Sequence, residues 1–190
     1  MTGLQDFKKV LKEFKSLSVW GAGSSALLPF IASFLSVIPP WPSQLSVITA
    51  AVQLITLIVV YQGFSDDSRK ISRSIRPFAF VGLVVLLGYI ALFSMFTIYV
   101  PQAHRAIVVG YECTASAASI FRDRCPFLTV DDLAGAAYDE FLLWTKSSIT
   151  VMRVVLVGAW LALFILFASI LGQFLIIQMH SSKRPVRRGR

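Results

Sequence analysis

Four long runs of apolar residues alternate with short polar segments along the chain. The runs cover residues 19–38, 45–64, 78–100 and 150–179, and none of them contains an acidic residue. About 20 apolar residues in a helix are enough to cross the roughly 30 Å of hydrocarbon in a bilayer. Because lipid offers the backbone no hydrogen-bonding partner, such runs are expected to fold as helices. The pattern predicts an all-α integral membrane protein with four transmembrane helices.

The amino-acid composition agrees with a membrane protein and argues against an enzyme or a metal-binding protein. Hydrophobic residues make up 56% of the chain and charged residues 15%, whereas soluble domains carry about a quarter of their residues as charges. Two Cys and two His are too few for most metal sites, since a closed zinc site usually needs four ligands. The four runs also lack Asp, Glu, His and Cys, so a catalytic constellation in the membrane is missing. We therefore expect neither an enzyme, nor a cofactor, nor a bound metal.

Basic residues predict the orientation of the chain. Thirteen cations fall in three segments that would share one face: Lys8, Lys9, Lys12, Lys15, Arg69, Lys70, Arg73, Arg76, Lys183, Arg184, Arg187, Arg188 and Arg190. The segments for the opposite face carry four: Arg105, Arg122, Arg124 and Lys146. Because positive residues stay on the cytoplasmic side, both termini are expected in the cytoplasm, with a bacterial inner membrane as the location.

The pattern divides the chain into five segments. They are an amphipathic interfacial helix (residues 1–17), transmembrane helices 1 to 3 (18–100), an extracytoplasmic cap (101–148), transmembrane helix 4 (149–180) and a basic cytoplasmic tail (181–190). The first segment is either a membrane anchor or a docking helix for a soluble cytoplasmic partner. The tail lacks the interleaved aromatic residues that stack on bases, so nucleic acid is not the expected partner.

Local structure in the cap can also be predicted. Cys113 and Cys125 lie on the face where disulfides persist, so we expect them to be bridged, with a short helix between them. A redox-active pair is the alternative, although the chain has no C-x-x-C motif. Residues 106–109 are β-branched enough for a short strand. Thr129 resembles a helix cap, and the helix after it is expected to reach Trp144 and to continue into the fourth span.

Inside the membrane, small and polar residues indicate where helices meet. Small residues allow close approach of two helices, and the fourth span offers Gly158, Ala162, Ala168 and Gly172. A polar stripe in the second span consists of Ser46, Thr49, Gln53 and Thr56. The stripe either forms interhelical hydrogen bonds or lines a pore in a ring of subunits. Arg153 either snorkels to the interface or pairs with a cap acid such as Asp139 or Glu140.

Two short motifs accompany this topology. The segment Pro39-Pro40-Trp41-Pro42 follows the first span, and Tyr61-Gln62-Gly63-Phe64 ends the second. With four helices and both termini inside, the chain resembles small membrane components of bacterial anti-phage defence systems, such as the Kiwa membrane subunit or four-helix membrane effectors. The resemblance implies an oligomer that senses or causes membrane disturbance.

Three functional hypotheses follow. The first is a homo-oligomeric membrane sensor, partner-tethering subunit or membrane-disrupting effector. The alternative is a constitutive channel or structural subunit with a polar path along the second span. A membrane enzyme that uses Asp131 and Asp132 of the cap is the third.

Overall fold

The computed structural model describes residues 38–64, 68–101 and 105–182, and this part of the chain is mostly helical. Its elements in chain order are α1 (Leu45–Phe64), α2 (Ser68–Phe96), β1 (Thr97–Val100), β2 (Arg105–Val108), α3 (Ala115–Ile120), α4 (Val130–Gly135), α5 (Glu140–Leu143) and α6 (Lys146–Ser182). The helix predicted over residues 1–17 and all but the last residue of the helix predicted over 19–38 lie outside the described residues, as does the tail from residue 183 onward.

Three of the described helices are long and apolar enough to cross a membrane. They are Leu45–Gly63 in α1, Ile75–Phe96 in α2 and Lys146–Ile177 in α6. Three of the four predicted spans therefore have helices of the required length and composition. Only 6% of the most apolar window of the middle helix is fully buried within the chain, so α2 leaves many apolar side chains exposed to lipid or another protein.

The chain contacts separate two compact units. Among the described residues, the first unit comprises residues 46–64, 68–83 and 163–182. The second comprises residues 38–45, 84–101 and 105–162. Each unit has its own packing and is described by itself.

In the first unit, α1 buries one helical face. Thr49, Gln53, Leu57 and Val60 recur at spacings of three and four, and all four are buried. On α6, the backbone at Gly172 comes so close to α1 that an added Cβ would lie 3.0 Å from Val60 Cγ1 and 3.4 Å from Leu57 Cδ2. The two helices approach closely here because Gly172 has no side chain.

The second unit contains a two-stranded hairpin and the cap. The strands β1 and β2 pair antiparallel, with Thr97 opposite Val108 and Val100 opposite Arg105. The third apolar run was predicted to be helical to residue 100, and this is wrong for its last four residues, since α2 ends at Phe96. The sequence Thr-Ile-Tyr-Val from Thr97 is β-branched and aromatic, a composition that favours a strand once a pairing partner is available.

Trp144 is at the centre of the cap core. Its side chain is fully buried, and its indole Nε1–H donates to the Pro126 carbonyl over 2.9 Å. A disulfide joins Cys113 to Cys125 across a Cα–Cα distance of 6.3 Å, which confirms the predicted bridge. Helix α3 lies between the two cysteines, where a short helix was expected. The core around Trp144 consists of Val100, Ile107, Val109, Ala117, Leu128, Leu133, Leu143 and Ile149.

The helix predicted from Thr129 to Trp144 starts as expected but is not continuous. The Thr129 hydroxyl and the Asp132 carboxylate form a capping box at the start of α4. The helix ends at Gly135, and Ala137 and Tyr138 follow with φ values of 52° and 61°. A right-handed helix cannot pass through left-handed residues. The continuation into the fourth span is also wrong, because the extended Trp144 separates α5 from α6.

Gly110 is a point of close backbone approach in the second unit. A Cβ built at this position would overlap Ser148 Oγ and lie 2.9 Å from Trp144 Cβ. Gly110→Ala should therefore lower the free energy of unfolding by about 1–3 kcal/mol, the usual cost of overpacking. Denaturant unfolding of the full chain in detergent micelles measures this change. Gly135→Ala is the matched control, since its Cβ would meet nothing within 4 Å. An equal loss in both variants would contradict this interpretation.

Gly172 and Gly158 form a second matched pair within α6. Gly172→Leu should force α6 away from Val60 and destabilise the first unit by about 1–3 kcal/mol. Gly158→Leu should destabilise the monomer less, because a Cβ at Gly158 would meet nothing within 4 Å. Unfolding of monomeric protein in detergent compares the two variants. A larger loss at Gly158 than at Gly172 would reverse the expected order.

Candidate functional site

The second unit contains a partly open pocket of about 190 Å³. Strand β2 provides one wall with Arg105 through Val108, while α5 provides Glu140 and α6 provides Arg153. Pro40 and Trp41, which precede α1 in the chain, complete the lining. The three charged residues come from separate parts of the sequence, so tertiary folding creates this pocket.

Glu140 is positioned by the short helix α5 and by the strained backbone that precedes this helix. The left-handed residues Ala137 and Tyr138 lie between α4 and α5. Asp139 then caps α5, since its carboxylate accepts the backbone N–H of Phe141 at 2.9 Å. Glu140 is the first residue of α5 and is largely buried. Consecutive non-glycine residues with positive φ are unfavourable, and such strain often accompanies functional sites.

Glu140 connects two arginines that differ in burial and in distance. Its Oε1 lies 3.0 Å from Arg153 Nη2, and its Oε2 lies 4.0 Å from Arg105 Nη2. The first contact is a charge-assisted hydrogen bond, and the second is too long for one. The Arg153 side chain is 25% exposed and that of Arg105 is 59% exposed. Of the two interpretations of Arg153, the structure shows the salt bridge to a cap acid.

Arg153 has hydrogen-bonding capacity left beyond this pair. Its Nε is buried and donates to no group in the part of the chain that the structure describes. A guanidinium carries five N–H donors and no acceptor. With Arg105 also at the pocket, two cations face one carboxylate. The lining therefore has a formal charge of +1 and can accept an anion.

Asp131 and Asp132, the acids of the enzyme hypothesis, do not line the pocket. Asp132 Oδ2 accepts the Thr129 backbone N–H at 2.9 Å and the Thr129 hydroxyl at 2.8 Å. Arg124 Nη1 lies 3.3 Å from the other carboxylate oxygen. The backbone hydrogen bond, followed by the Thr129 hydroxyl and the charge of Arg124, lowers the pKa of Asp132. Both oxygens of Asp132 are thus engaged in capping α4 and pairing with Arg124, and neighbouring Asp131 is exposed.

No residue of the polar stripe of α1 lines this pocket. Thr49 and Gln53 are buried, Ser46 is exposed, and the half-buried Thr56 donates its hydroxyl to the Val52 carbonyl at 2.8 Å. Gln53 Oε1 accepts no hydrogen bond among the described residues. The burial of Thr49 and Gln53 suits a polar contact inside the chain, and the proposed pore stays a prediction.

The remaining predicted residues lie in the middle of α6 and in the basic segments. Ala168 and Gly172 are buried, Ala162 is half-buried and Gly158 is exposed. Arg76 is exposed. The side chains of the other cations assigned to the cytoplasmic surface lie outside the described part: Lys8, Lys9, Lys12, Lys15, Arg69, Lys70, Arg73, Lys183, Arg184, Arg187, Arg188 and Arg190.

Sequence reasoning missed Arg105, Pro40 and Trp41 as parts of one site. The sequence signal that could have identified Arg105 is its position as the first residue of an otherwise apolar strand. Within residues 38–64, 68–101 and 105–182, no three His, Cys, Asp or Glu side chains are grouped so that they could hold a metal ion. No family model, curated protein or solved structure matches the chain.

The pair of Glu140 and Arg153 can be tested with a double-mutant cycle. Arg153→Met should lower the free energy of unfolding by about 3 kcal/mol, because it leaves a buried carboxylate without its cation. In the double variant with Glu140→Gln, part of this loss should be recovered, since the unpaired charge is gone. Denaturant unfolding of all four proteins in micelles measures the coupling.

Arg122→Met is the control for this cycle, because Arg122 is an exposed cap arginine that does not line the pocket. It should change stability by less than about 0.5 kcal/mol. Strictly additive losses in the cycle would show that Glu140 and Arg153 do not stabilise each other.

Proposed function

We propose that this protein is a homo-oligomeric, multi-span membrane protein that senses the state of the bilayer and relays it to a soluble cytoplasmic partner. The observation that carries the proposal is the ion pair between Glu140 and Arg153 at 3.0 Å. It links the cap to α6, the helix that contains the longest apolar span. Bacterial anti-phage defence is the proposed setting.

The length of α6 supports a relay. Its 37 residues extend about 55 Å at a rise of 1.5 Å per residue, whereas the hydrocarbon core is about 30 Å thick. The helix can thus span the bilayer and still project beyond it at an end. Arg153 lies in its third turn, so a displaced cap would pull on the helix itself.

The packing of the cap supports its proposed role as a rigid unit that moves as a whole when the membrane is disturbed. A disulfide, a buried tryptophan and a two-stranded hairpin hold its segments together. A small folded unit of this kind moves as a whole, whereas a flexible loop would absorb a disturbance locally. In the proposed orientation, the cap faces outward and the basic segments face the cytoplasmic partner.

Exposed apolar surface supports the membrane and oligomer parts of the proposal. Many large hydrophobic side chains on α2 are more than half exposed in the single chain, among them Phe80, Leu83, Val84 and Leu87. A soluble monomer rarely exposes so large an apolar surface. Lipid and neighbouring copies of the chain are the proposed cover.

A constitutive channel is the second candidate, and it is favoured by Gln53 Oε1, which accepts no hydrogen bond among the described residues. The side chain lies within the span of α1, where a polar group without a partner is costly. In a ring of subunits, this amide would contact water if α1 turned its buried face toward the pore. The two functions differ at rest, since a sensor leaves the membrane ion-tight and an open channel does not.

Proteoliposomes that hold the full chain test the sensor directly. They should be ion-tight at rest, and osmotic swelling should raise deuterium uptake in the cap and in α6 together. Glu140→Gln should keep the response of the cap and reduce that of α6 at least about twofold, because it removes the charge-assisted contact to Arg153. Hydrogen exchange with mass spectrometry reports both segments in one experiment.

Asp131→Asn is the matched control, since it removes an exposed cap carboxylate without touching Arg153. It should respond like the unaltered protein. Steady ion flux at rest that Gln53→Leu abolishes would favour the channel. Swelling without any change in exchange would count against the sensor.

A further inference from the structure

We propose that the pocket formed by β2, α5 and α6 binds a phosphate oxyanion of the kind carried by glycerophospholipid headgroups. The inference rests on the proposed function, because it names the chemical group that the cap contacts in the membrane. Four features of the pocket carry it: its charge, its unused donors, its size and its position along the chain.

The charge of the pocket matches a monoanion. Arg105 and Arg153 contribute two positive charges, and Glu140 neutralises one of them. A phosphodiester carries one negative charge, so its binding would complete the neutralisation. A divalent cation would find the wrong sign at this site.

Donors for the oxyanion remain on both arginines. Glu140 Oε2 lies 4.0 Å from Arg105 Nη2, which is beyond hydrogen-bond distance. The Arg105 side chain is 59% exposed, so its planar fork can turn toward a ligand. Guanidinium groups bind phosphate through two parallel N–H donors, and two such groups can hold adjacent oxygens. Glu140 meanwhile keeps Arg153 in place through the 3.0 Å contact.

The size of the pocket selects a small group. Its volume of about 190 Å³ is below the roughly 300–1,000 Å³ of pockets that enclose drug-sized ligands. A headgroup phosphate with part of its glycerol fits this limit, whereas acyl chains do not. The chains would have to remain outside, along exposed apolar surface.

The pocket lies next to the ends of two apolar spans, which is the level at which lipid headgroup phosphates occur in a bilayer. Arg153 lies near the start of the span that begins at Lys146, and Trp41 lies just before the span that begins at Leu45. Trp41 is 47% exposed, and tryptophan is enriched at the level of lipid headgroups. Two span ends and an interfacial aromatic residue thus meet at one cationic pocket.

Native mass spectrometry of the full chain in detergent micelles tests the site. The probes are dioleoylphosphatidylglycerol, dioleoylglycerol as the analogue without phosphate, and inorganic phosphate as competitor. Arg105→Gln should raise the Kd for the first phosphatidylglycerol adduct about tenfold, because it removes a charge-assisted pair. Glu140→Gln should lower that Kd about threefold, because it raises the pocket charge and releases Arg153. Binding of dioleoylglycerol should not depend on either residue.

Arg122→Gln is the matched control, as it removes an exposed arginine that does not line the pocket, and it should leave the Kd unchanged. Displacement of the lipid by millimolar inorganic phosphate would show that free phosphate also occupies the site. Resistance to displacement would identify the lipid headgroup as the ligand. Equal Kd values for Arg105→Gln and Arg122→Gln, or weaker binding in Glu140→Gln, would overturn the proposal.

The result of the lipid-binding experiment can be distinguished from the result of the sensor experiment. Arg105-dependent lipid binding without an exchange response to swelling would leave the site intact and reject the sensor. An exchange response without Arg105-dependent binding would reject only the phosphate site.

Discussion

The buried carboxylate of Glu140 is the constraint on which the arrangement of the cap depends. A carboxylate in this environment costs several kcal/mol unless a cation pairs with it closely. Arg153 meets that demand at 3.0 Å, and α5 and α6 must keep this distance for the charge to stay compensated. The strained residues Ala137 and Tyr138 bring α5 into position. A local electrostatic requirement thus joins a folded cap to a membrane-length helix.

The proposed orientation gives the chain two physical environments, lipid around the spans and water around the cap, and helix α6 runs through both. In lipid, helices are obligatory because the backbone must satisfy its own hydrogen bonds, and small residues such as Gly172 let them approach. In the proposed orientation the cap is in water, where short helices, a hairpin and a disulfide can form an irregular core around Trp144. Helix α6 belongs to both environments, which is why the proposed relay is assigned to it.

The elements that could be predicted from sequence depend on local or compositional signals. The spans of α1, α2 and α6 follow from apolar length, and the start of α4 follows from the cap at Thr129. The strand β1 could not be separated from α2, because a continuous apolar run has no period that distinguishes helix from strand. Gly135 marks the end of α4, but the left-handed conformation falls on Ala137 and Tyr138, and residues of these types rarely adopt it. The pocket could not be predicted, since Arg105, Glu140 and Arg153 meet only through tertiary contacts.

The central claim is that the chain spans a membrane with its disulfide-closed cap on the outer side. Its most direct test is cysteine labelling in intact cells and in inverted vesicles, with a membrane-impermeant reductant followed by an impermeant maleimide. The account predicts that Cys113 and Cys125 are labelled in intact cells and protected in inverted vesicles. Labelling only in inverted vesicles, or recovery of the chain in the aqueous fraction without detergent, would contradict it.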